Sequence, residues 1–533
     1  MKSDYKEIAI LLICLTALSF LYNYQYAFSK GPYSIHMWRQ TDCLALTQGY
    51  YDNGLNFFQP SMNFQAGNNG KTVAEFPLFY YINACMWTVF GKSEFLCRLL
   101  NVIVSFVGLV YLYKLIRTLL DSPFWAGVIT LLVFTSPILV FYANGFLVNV
   151  PAIGFIFISW YYFYQFYHHN TSGKYLMISM FFVTLAALLR VTLFYTVSFV
   201  YILYFLELFN LGSFGKNGKL YIDKWKQLLL LVIPLVFVAG WVSYAKYYNT
   251  LHGTTDIFLM KIIPIWDMGA YNFASLSRKF IHNLSVDILL SYVGMYVFFT
   301  LFFFLLANSF KQPPIILVCL FSLSIGCLSF LMLFYQNLNV HDYYLIDVIP
   351  FMVIVFVFFI LLLKVQYQVI YQSAFLKYFA VLFLVTSILY CTAKHRIRYK
   401  SKDDALVDAL FFVYTEELYG YWDWFHWDYG LRLEALEHIQ PRLDELGIKK
   451  DDLVLSIPDV SPNVTLYMIG RKGYSTYGRN NLSTYDQIIQ AQENGVKYLI
   501  INDKSILHDD RENVLVGKPI AEIKNILIYD IRK

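Results

Sequence analysis

Trp38-Arg39-Gln40-Thr41-Asp42 sets a guanidinium and a carboxylate three residues apart, ahead of a stretch reading CLALTQGYYDNG. A carboxylate there could take the proton of a hydroxyl. A guanidinium could hold a carboxylate or phosphate through paired hydrogen bonds. Glu75-Phe76-Pro77 offers a second acid, His341-Asp342-Tyr343-Tyr344 a cluster of polar and aromatic groups, and Arg190 a cation between two apolar runs. Each has a plainer reading. Asp42 can cap a helix, and Glu75 with Pro77 suits a first helical turn. His341 and Asp342 can cap as well, Tyr343 and Tyr344 can sit in an aromatic belt, and Arg190 can snorkel. What separates the two readings is the set of elements that carries these residues.

Those elements are apolar. Of 533 residues 58% are hydrophobic and 14% charged, and the mean hydropathy is +0.50. Soluble chains carry roughly 25% charged residues, and a single core stops growing near ~250–300 residues. The composition therefore excludes a soluble enzyme, a disordered chain and an ordinary basic nucleic-acid binder. Apolar runs near 8–28, 96–113, 124–142, 149–167, 175–189, 191–209, 227–245, 288–308, 314–335, 345–363 and 376–393 predict about eleven transmembrane helices. Each is near the ~20 residues that cross a bilayer, where a backbone must bond to itself. The run at 8–28 lacks a small-residue cleavage site and reads as a retained first span. Cysteines are seven, none with metal-ligand spacing, so no disulfide framework or zinc site is expected.

Lys114 and Arg117, Lys174, the group Lys216 to Lys226, Lys311, and Lys364 with Lys377 share one side, and the short opposite turns 142–148 and 336–344 contain no Lys or Arg. The basic side is expected to be cytoplasmic. Three outer segments then converge on the other face: loops 29–95, 246–287 and 336–344. Within the first, residues 75–90 are too short to span and read as an interfacial helix. Of the 14 acidic residues before position 401, nine fall on this outer side: Asp42, Asp52, Glu75, Glu94, Asp256, Asp267, Asp287, Asp342 and Asp347. Ionisable groups at a membrane boundary are costly and often functional.

The ordered set of WRQTD in the first outer loop, EFPLFYY and FG before the second span, a short outer turn after span three, and HDYYLIDVIP resembles the GT-C superfamily of polytopic glycosyltransferases. The nearest likeness is to protein O-mannosyltransferases and aminoarabinose-transferase-like enzymes. The resemblance covers residues 1–393. It implies a polyprenyl-phosphate sugar donor on the outer face. It also implies an acid in the first outer loop that acts on an acceptor hydroxyl (of a lipid, polysaccharide or protein), which falls on Asp42. The sequence departs at FYANGFLVNVPA, where relatives often carry an acid near Asn149; an amide is no base and a weaker cation ligand. The expected chemistry is one inverting displacement, with Asp42 as base and Glu75 orienting Arg39 or holding a sugar hydroxyl. Arg39, Arg190, His341, Lys261, Arg278 and Lys279 are candidates for the lipid phosphate. Asp342, Tyr343 and Tyr344 join the donor-binding set, with the tyrosines stacking on or bonding to sugar or headgroup. No metal is assigned, save that a weakly held Mg²⁺ or Mn²⁺ stays open. A transporter or flippase would place its charges at mid-membrane and show repeats; a non-catalytic assembly factor is the other rival.

After residue 400 the solvent changes. The tail holds 22 of the 36 acidic and 15 of the 41 basic residues, which leaves it at −7 and the first 400 residues at +12. The division expected is a membrane domain at 1–395 and an extracytoplasmic accessory domain at 396–533, in a protein of the bacterial cell membrane with its site on the periplasmic side. Helical patterns at 403–420 and 431–446 flank YGYWDWFHWDYG. Helices at 461–469 and 483–494 alternate with strands at DLVLSIP, KYLIIND and ILIYDI, so the tail reads as a small α/β domain. It has no phosphate loop and no nucleophile elbow.

Overall fold

The computed structural model describes residues 2–65, 67, 69–169, 173–216, 218–258, 262–279, 288–400, 404–507 and 516–532. The chain opens with α1 (Lys2–Leu21), α2 (Tyr24–Phe28), α3 (Met37–Asp52) and α4 (Leu78–Phe90). The membrane body continues through α5 (Glu94–Leu120), α6 (Pro123–Val133), α7 (Pro137–Ala143), α8 (Asn149–His169), α9 (Gly173–Leu189), α10 (Ser198–Leu208) and α11 (Lys224–His252). It closes with α12 (Ala270–Lys279), α13 (Tyr292–Ala307), α14 (Pro314–Leu333), α15 (Ile349–Gln366), α16 (Gln368–Gln372) and α17 (Ala374–Arg396). The protein is a multi-pass, mostly helical membrane protein. Each of the eleven apolar runs coincides with a helix or helix pair. Among the described residues six helical segments are long and apolar enough to cross alone, and α6 with α7 makes a bent seventh.

Two expected spans are interrupted, for local reasons. The run at 8–28 stops at Leu21, because Asn23 takes φ 67° before α2 begins. The run at 124–142 bends by 76° between α6 and α7. Pro137 opens α7 and Ser136 before it is extended, as a residue preceding proline must be. The bend turns Tyr142 toward the site. Val191–Val197 and Asp342–Val348 are three-ten turns that lead into α10 and α15. α15 is apolar on all sides and buried along most of its length, the pattern of a central helix. α5 and α8 touch at two glycines: a Cβ on Gly108 would lie 2.3 Å from Gly154 Cα. Small residues permit such an approach.

The tail contains α18 (Ala405–Ala409), α19 (Glu416–Arg432), α20 (Gln440–Glu445), α21 (Val464–Ile469) and α22 (Thr484–Glu493). The aromatic stretch is thus helical rather than a connection between helices. In α19 Trp422 is buried against Ile397 and Val407, while Trp424 and Trp427 are exposed. Strands β1 (Val454–Ile457), β2 (Gly473–Ser475), β3 (Tyr498–Ile501), β4 (Ala521–Ile523) and β5 (Ile526–Asp530) form one sheet in the order β2-β1-β3-β5-β4. β2, β1 and β3 run parallel; β5 and β4 are antiparallel. Two short strands, β2 and β4, join the three expected. The sheet alternates in the usual period of two. Val454, Tyr498 and Ile500 face the core shared with the membrane body. Leu455, Leu499 and Ile501 face a second core under α22.

Candidate active site

α3 is the element that aims the first two groups. Its entry is tied by Gln40, whose Nε2 donates to the carbonyls of Tyr33 (2.7 Å) and Ile35 (2.8 Å). Asp42 lies in the second turn and is buried, so it is no cap. One turn earlier on the same face, Arg39 brings a guanidinium nitrogen to 4.0 Å from Asp42 Oδ2. The other side of the guanidinium donates to Glu75, which also accepts from the Tyr80 hydroxyl. Glu75 just precedes α4, whose N-terminal cap is Pro77. Tyr80 OH in turn lies 3.3 Å from Cys43 Sγ. The result is a chain of buried groups from Asp42 through Arg39 to Glu75. Their environments push the two acids apart. Burial drives Asp42 up to about 7, against the pull of Arg39 and of the Asn463 amide. Glu75 is also desolvated, but Arg39 and Tyr80 hold it below the ordinary carboxylate range.

The opposite wall comes from α7 and the turn before α15. His36, the residue before α3, sets Nε2 2.9 Å from Asp342 Oδ1. That same oxygen accepts from Tyr142 OH at 2.6 Å. His341 packs on Tyr343 and Tyr344 with ring centroids 5.2 and 5.9 Å apart, and its ring lies 6.2 Å from that of His36. Burial, with His36 and Arg39 adding to it, pushes His341 down to about 4. It is therefore neutral near pH 7 and could serve as a hydrogen-bonding group rather than a phosphate cation. Arg190 supplies the charge. Its Nε lies 2.9 Å from both oxygens of Asp347, and its Cζ stands 4.3 Å over the Tyr344 ring. Arg190 Nη2 and His341 Nδ1 are buried and have no hydrogen-bond partner among the described residues. Asn149 Nδ2 lies 3.4 Å from the Tyr343 carbonyl.

The third wall is the tail. Asn463, at the start of α21, donates its side-chain amide to Asp42 Oδ1 at 2.8 Å. Its Oδ1 accepts from Phe64 N at 3.2 Å. Loop residues 63–65 pair with the first residue of β2 through Gly473 N to Asn63 O (3.1 Å) and Gln65 N to Gly473 O (2.8 Å). Tyr467 of α21 donates to Glu94 at 2.7 Å.

The fold, rather than the site, has counterparts among solved structures. ArnT from Cupriavidus metallidurans in the apo state aligns with TM-score 0.57 at 11% identity, over 97% of each chain. The same protein bound to undecaprenyl phosphate aligns with TM-score 0.58 at 12% identity, again over 97% of each. The oligosaccharyltransferase of Archaeoglobus fulgidus in the apo form aligns with TM-score 0.53 at 11% identity, over 93% of this chain and 69% of the other. The chain has the GT-C fold. Residues 74–244, from the segment before α4 into α11, match the family model for dolichyl-phosphate-mannose-protein mannosyltransferase. No curated protein sequence matches significantly.

Within the GT-C fold the expected residues divide. Arg39, Asp42, Glu75, Arg190, His341, Tyr343 and Tyr344 gather around one cluster. Asp342 joins it with Oδ1 engaged by His36 and Tyr142. Asp347 joins as the partner of Arg190. Asp267 is exposed on a three-ten turn, and Arg278 and Lys279 lie in the last turn of α12, which is anchored by a Ser277 to Tyr335 hydrogen bond of 2.7 Å. Lys261 and Asp287 lie outside the described residues. His36, Tyr80, Tyr142 and Asn463 were not singled out by type or spacing. His36 alone carried a signal, as a histidine six residues before Asp42. The donor set also bears on a cation. Asp42 is flanked by an amide and a guanidinium, and among the described residues no group of three His, Cys, Asp or Glu side chains has a metal-holding arrangement. A guanidinium 4.0 Å away competes with any cation for that carboxylate.

Proposed function

We propose that the chain is a membrane glycosyltransferase that moves a sugar from a polyprenyl-phosphate donor to an acceptor hydroxyl on the non-cytoplasmic face. The observation that carries this reading is Asp42, buried with the Arg39 guanidinium 4.0 Å from Oδ2 and the Asn463 amide 2.8 Å from Oδ1, where burial pushes its carboxyl up to about 7. A base of that strength can take a proton at neutral pH and release it again. In one displacement Asp42 accepts the acceptor proton, the hydroxyl oxygen bonds to the anomeric carbon, and the bond from that carbon to the phosphate oxygen breaks. The electron pair leaves with the lipid phosphate. Glu75 aims Arg39, and Arg190 is the cation for the departing phosphate, with Nη2 and the neutral His341 as added hydrogen-bonding groups. Tyr343 and Tyr344 are buried, with Arg190 over the Tyr344 ring and His341 packed on both, so they frame the phosphate groups rather than stack on the sugar as the sequence suggests. No step needs a metal. The fold likeness to ArnT bound to undecaprenyl phosphate supports a lipid-phosphate donor, and the mannosyltransferase family match supports sugar transfer.

The test is transfer by purified protein in proteoliposomes containing polyprenyl-phosphate sugars. Asp42→Asn should lower turnover by ~10²–10⁴-fold, and wild-type turnover should rise with pH through about 7. Near-normal transfer by Asp42→Asn removes the base. Movement of the donor across the vesicle without transfer makes the chain a transporter.

A further inference from the structure

Asp42 has two carboxylate oxygens, and the structure treats them differently. Oδ2 faces Arg39 at 4.0 Å. Oδ1 is held by Asn463, which lies in the tail more than 400 positions away. Asn463 is fully buried and its loop is built with care. Asp459 accepts from Ser461 N (2.8 Å), Ser461 Oγ (2.6 Å), Thr465 N (2.8 Å) and Thr465 Oγ1 (2.7 Å). Ser475 Oγ donates to the Ser461 carbonyl at 2.6 Å, tying the loop to β2. A loop crossed by that many bonds has one conformation, and that conformation delivers one amide to Asp42.

We propose that Asn463 is a positioning residue of the active site, whose amide nitrogen holds Asp42 Oδ1 and so aims Oδ2 at the acceptor hydroxyl. The tail is then part of the site rather than an accessory. This rests on Asp42 acting as the base. Fixing one oxygen removes the rotation about χ2 that would otherwise turn the carboxylate away, and positioning of this kind is realised only in the reacting geometry. A donor on Oδ1 also favours the charged form. The other titratable groups that face Asp42 are Arg39 and Cys43 on its own helix, Glu75 before α4, and Asp459 and Tyr477 from the tail. None of these is altered by changing Asn463.

A mere docking contact makes a different prediction, because Asn463 has two jobs that can be separated. Asn463→Asp keeps the oxygen that accepts from Phe64 N, and replaces the donor facing Asp42 by a like charge. The full-length variant is assayed for transfer between pH 6 and 9.5, beside Asn463→Ala and Asp42→Asn, with melting curves. Asn463→Asp should move the lower-pH limb upward by about one unit or more, which is about fivefold or more in turnover at pH 7, where wild-type Asp42 is half ionised, with kcat lost and KM near the wild-type value. Asn463→Ala should move the limb the same way by less, and on the high-pH plateau both should keep a kcat below wild type, because Asp42 is charged there but no longer aimed. If both variants reach the wild-type kcat on the high-pH plateau, or the limb stays in place, the positioning role is wrong while an inactive Asp42→Asn keeps the base. If Asn463→Asp fails to fold, the pH series of Asn463→Ala decides by the same criterion. If Asp42→Asn is active, base and positioning role fall together.

Discussion

Asp347 is fully buried and its charge is met by Arg190, with Thr192 Oγ1 also donating to it. Removing one partner of such a pair leaves an uncompensated charge and costs about 3–5 kcal/mol. Arg190→Ala should therefore melt well below wild type, and adding Asp347→Asn should restore much of that loss. Transfer should stay low in the double variant, because the phosphate cation is still missing. Recovery of both properties would make Arg190 a structural residue only. Asp42 carries a cost of another kind. Its folded value, about 7, lies above the ordinary 3.8. The protonated form is thus favoured by folding: that stability is complete below about 3.8 and fades as pH rises to about 7. Asp42→Asn cannot ionise, so its melting temperature should gain on wild type more at pH 8 than at pH 5. An equal difference at both values would contradict the raised value. Asp42, Glu75 and Arg190 were legible because charges are scarce in an apolar chain. Asn463 was not, since a neutral amide in a polar loop of the tail carries no local signal and meets Asp42 only in the folded chain.

At the scale of elements, apolar runs give helices reliably because lipid leaves the backbone no other partner. Their interruptions were harder to see. Pro137 explains the bend between α6 and α7, yet proline in a membrane run does not by itself say whether a helix breaks or merely kinks: Pro234 lies inside an unbroken α11. The aromatic stretch 419–430 looked like a connection because it mixes glycine, aspartate and tryptophan. It is a helix because its start is capped by Thr415, whose side chain accepts from Leu418 N, and because Trp422 and Tyr429 bury one face. The contact of α5 with α8 gives a direct test of element packing. A methyl on Gly108 meets the backbone of Gly154, whereas one on Gly127 meets nothing within 4 Å. Gly108→Ala should lower the melting temperature and the yield of folded protein, and Gly127→Ala should leave both unchanged or slightly raised. Equal behaviour of the two would mean that α5 and α8 are not in close contact.

The whole molecule is polarised end to end. At one end Arg117 pairs with Glu7 (3.1 Å) and Asp121 (2.8 Å), Lys364 donates to the Leu120 carbonyl (2.7 Å), and Lys311 donates to Tyr367 OH (2.8 Å). These contacts gather the basic turns between spans. At the other end stand Asp42, Arg190, His341 and the docked tail. The acidic tail and the basic turns thus lie on opposite faces. Cells retain Lys- and Arg-rich short turns in the cytoplasm, so the end with the site should face outward, where a lipid-linked donor and its acceptor would meet. Two exposed positions report on the two ends: Trp427 in α19 and Lys216 in the turn after α10. In intact cells a membrane-impermeant maleimide should label Trp427→Cys and leave Lys216→Cys at the background of the native cysteines, four of which are buried. Opening the cells should make Lys216→Cys reactive as well. Label on Lys216→Cys in intact cells, with none on Trp427→Cys, would put the cluster on the cytoplasmic face. The sugar donor would then have to be bound from that side, and the outward reading of the whole molecule would fail with it.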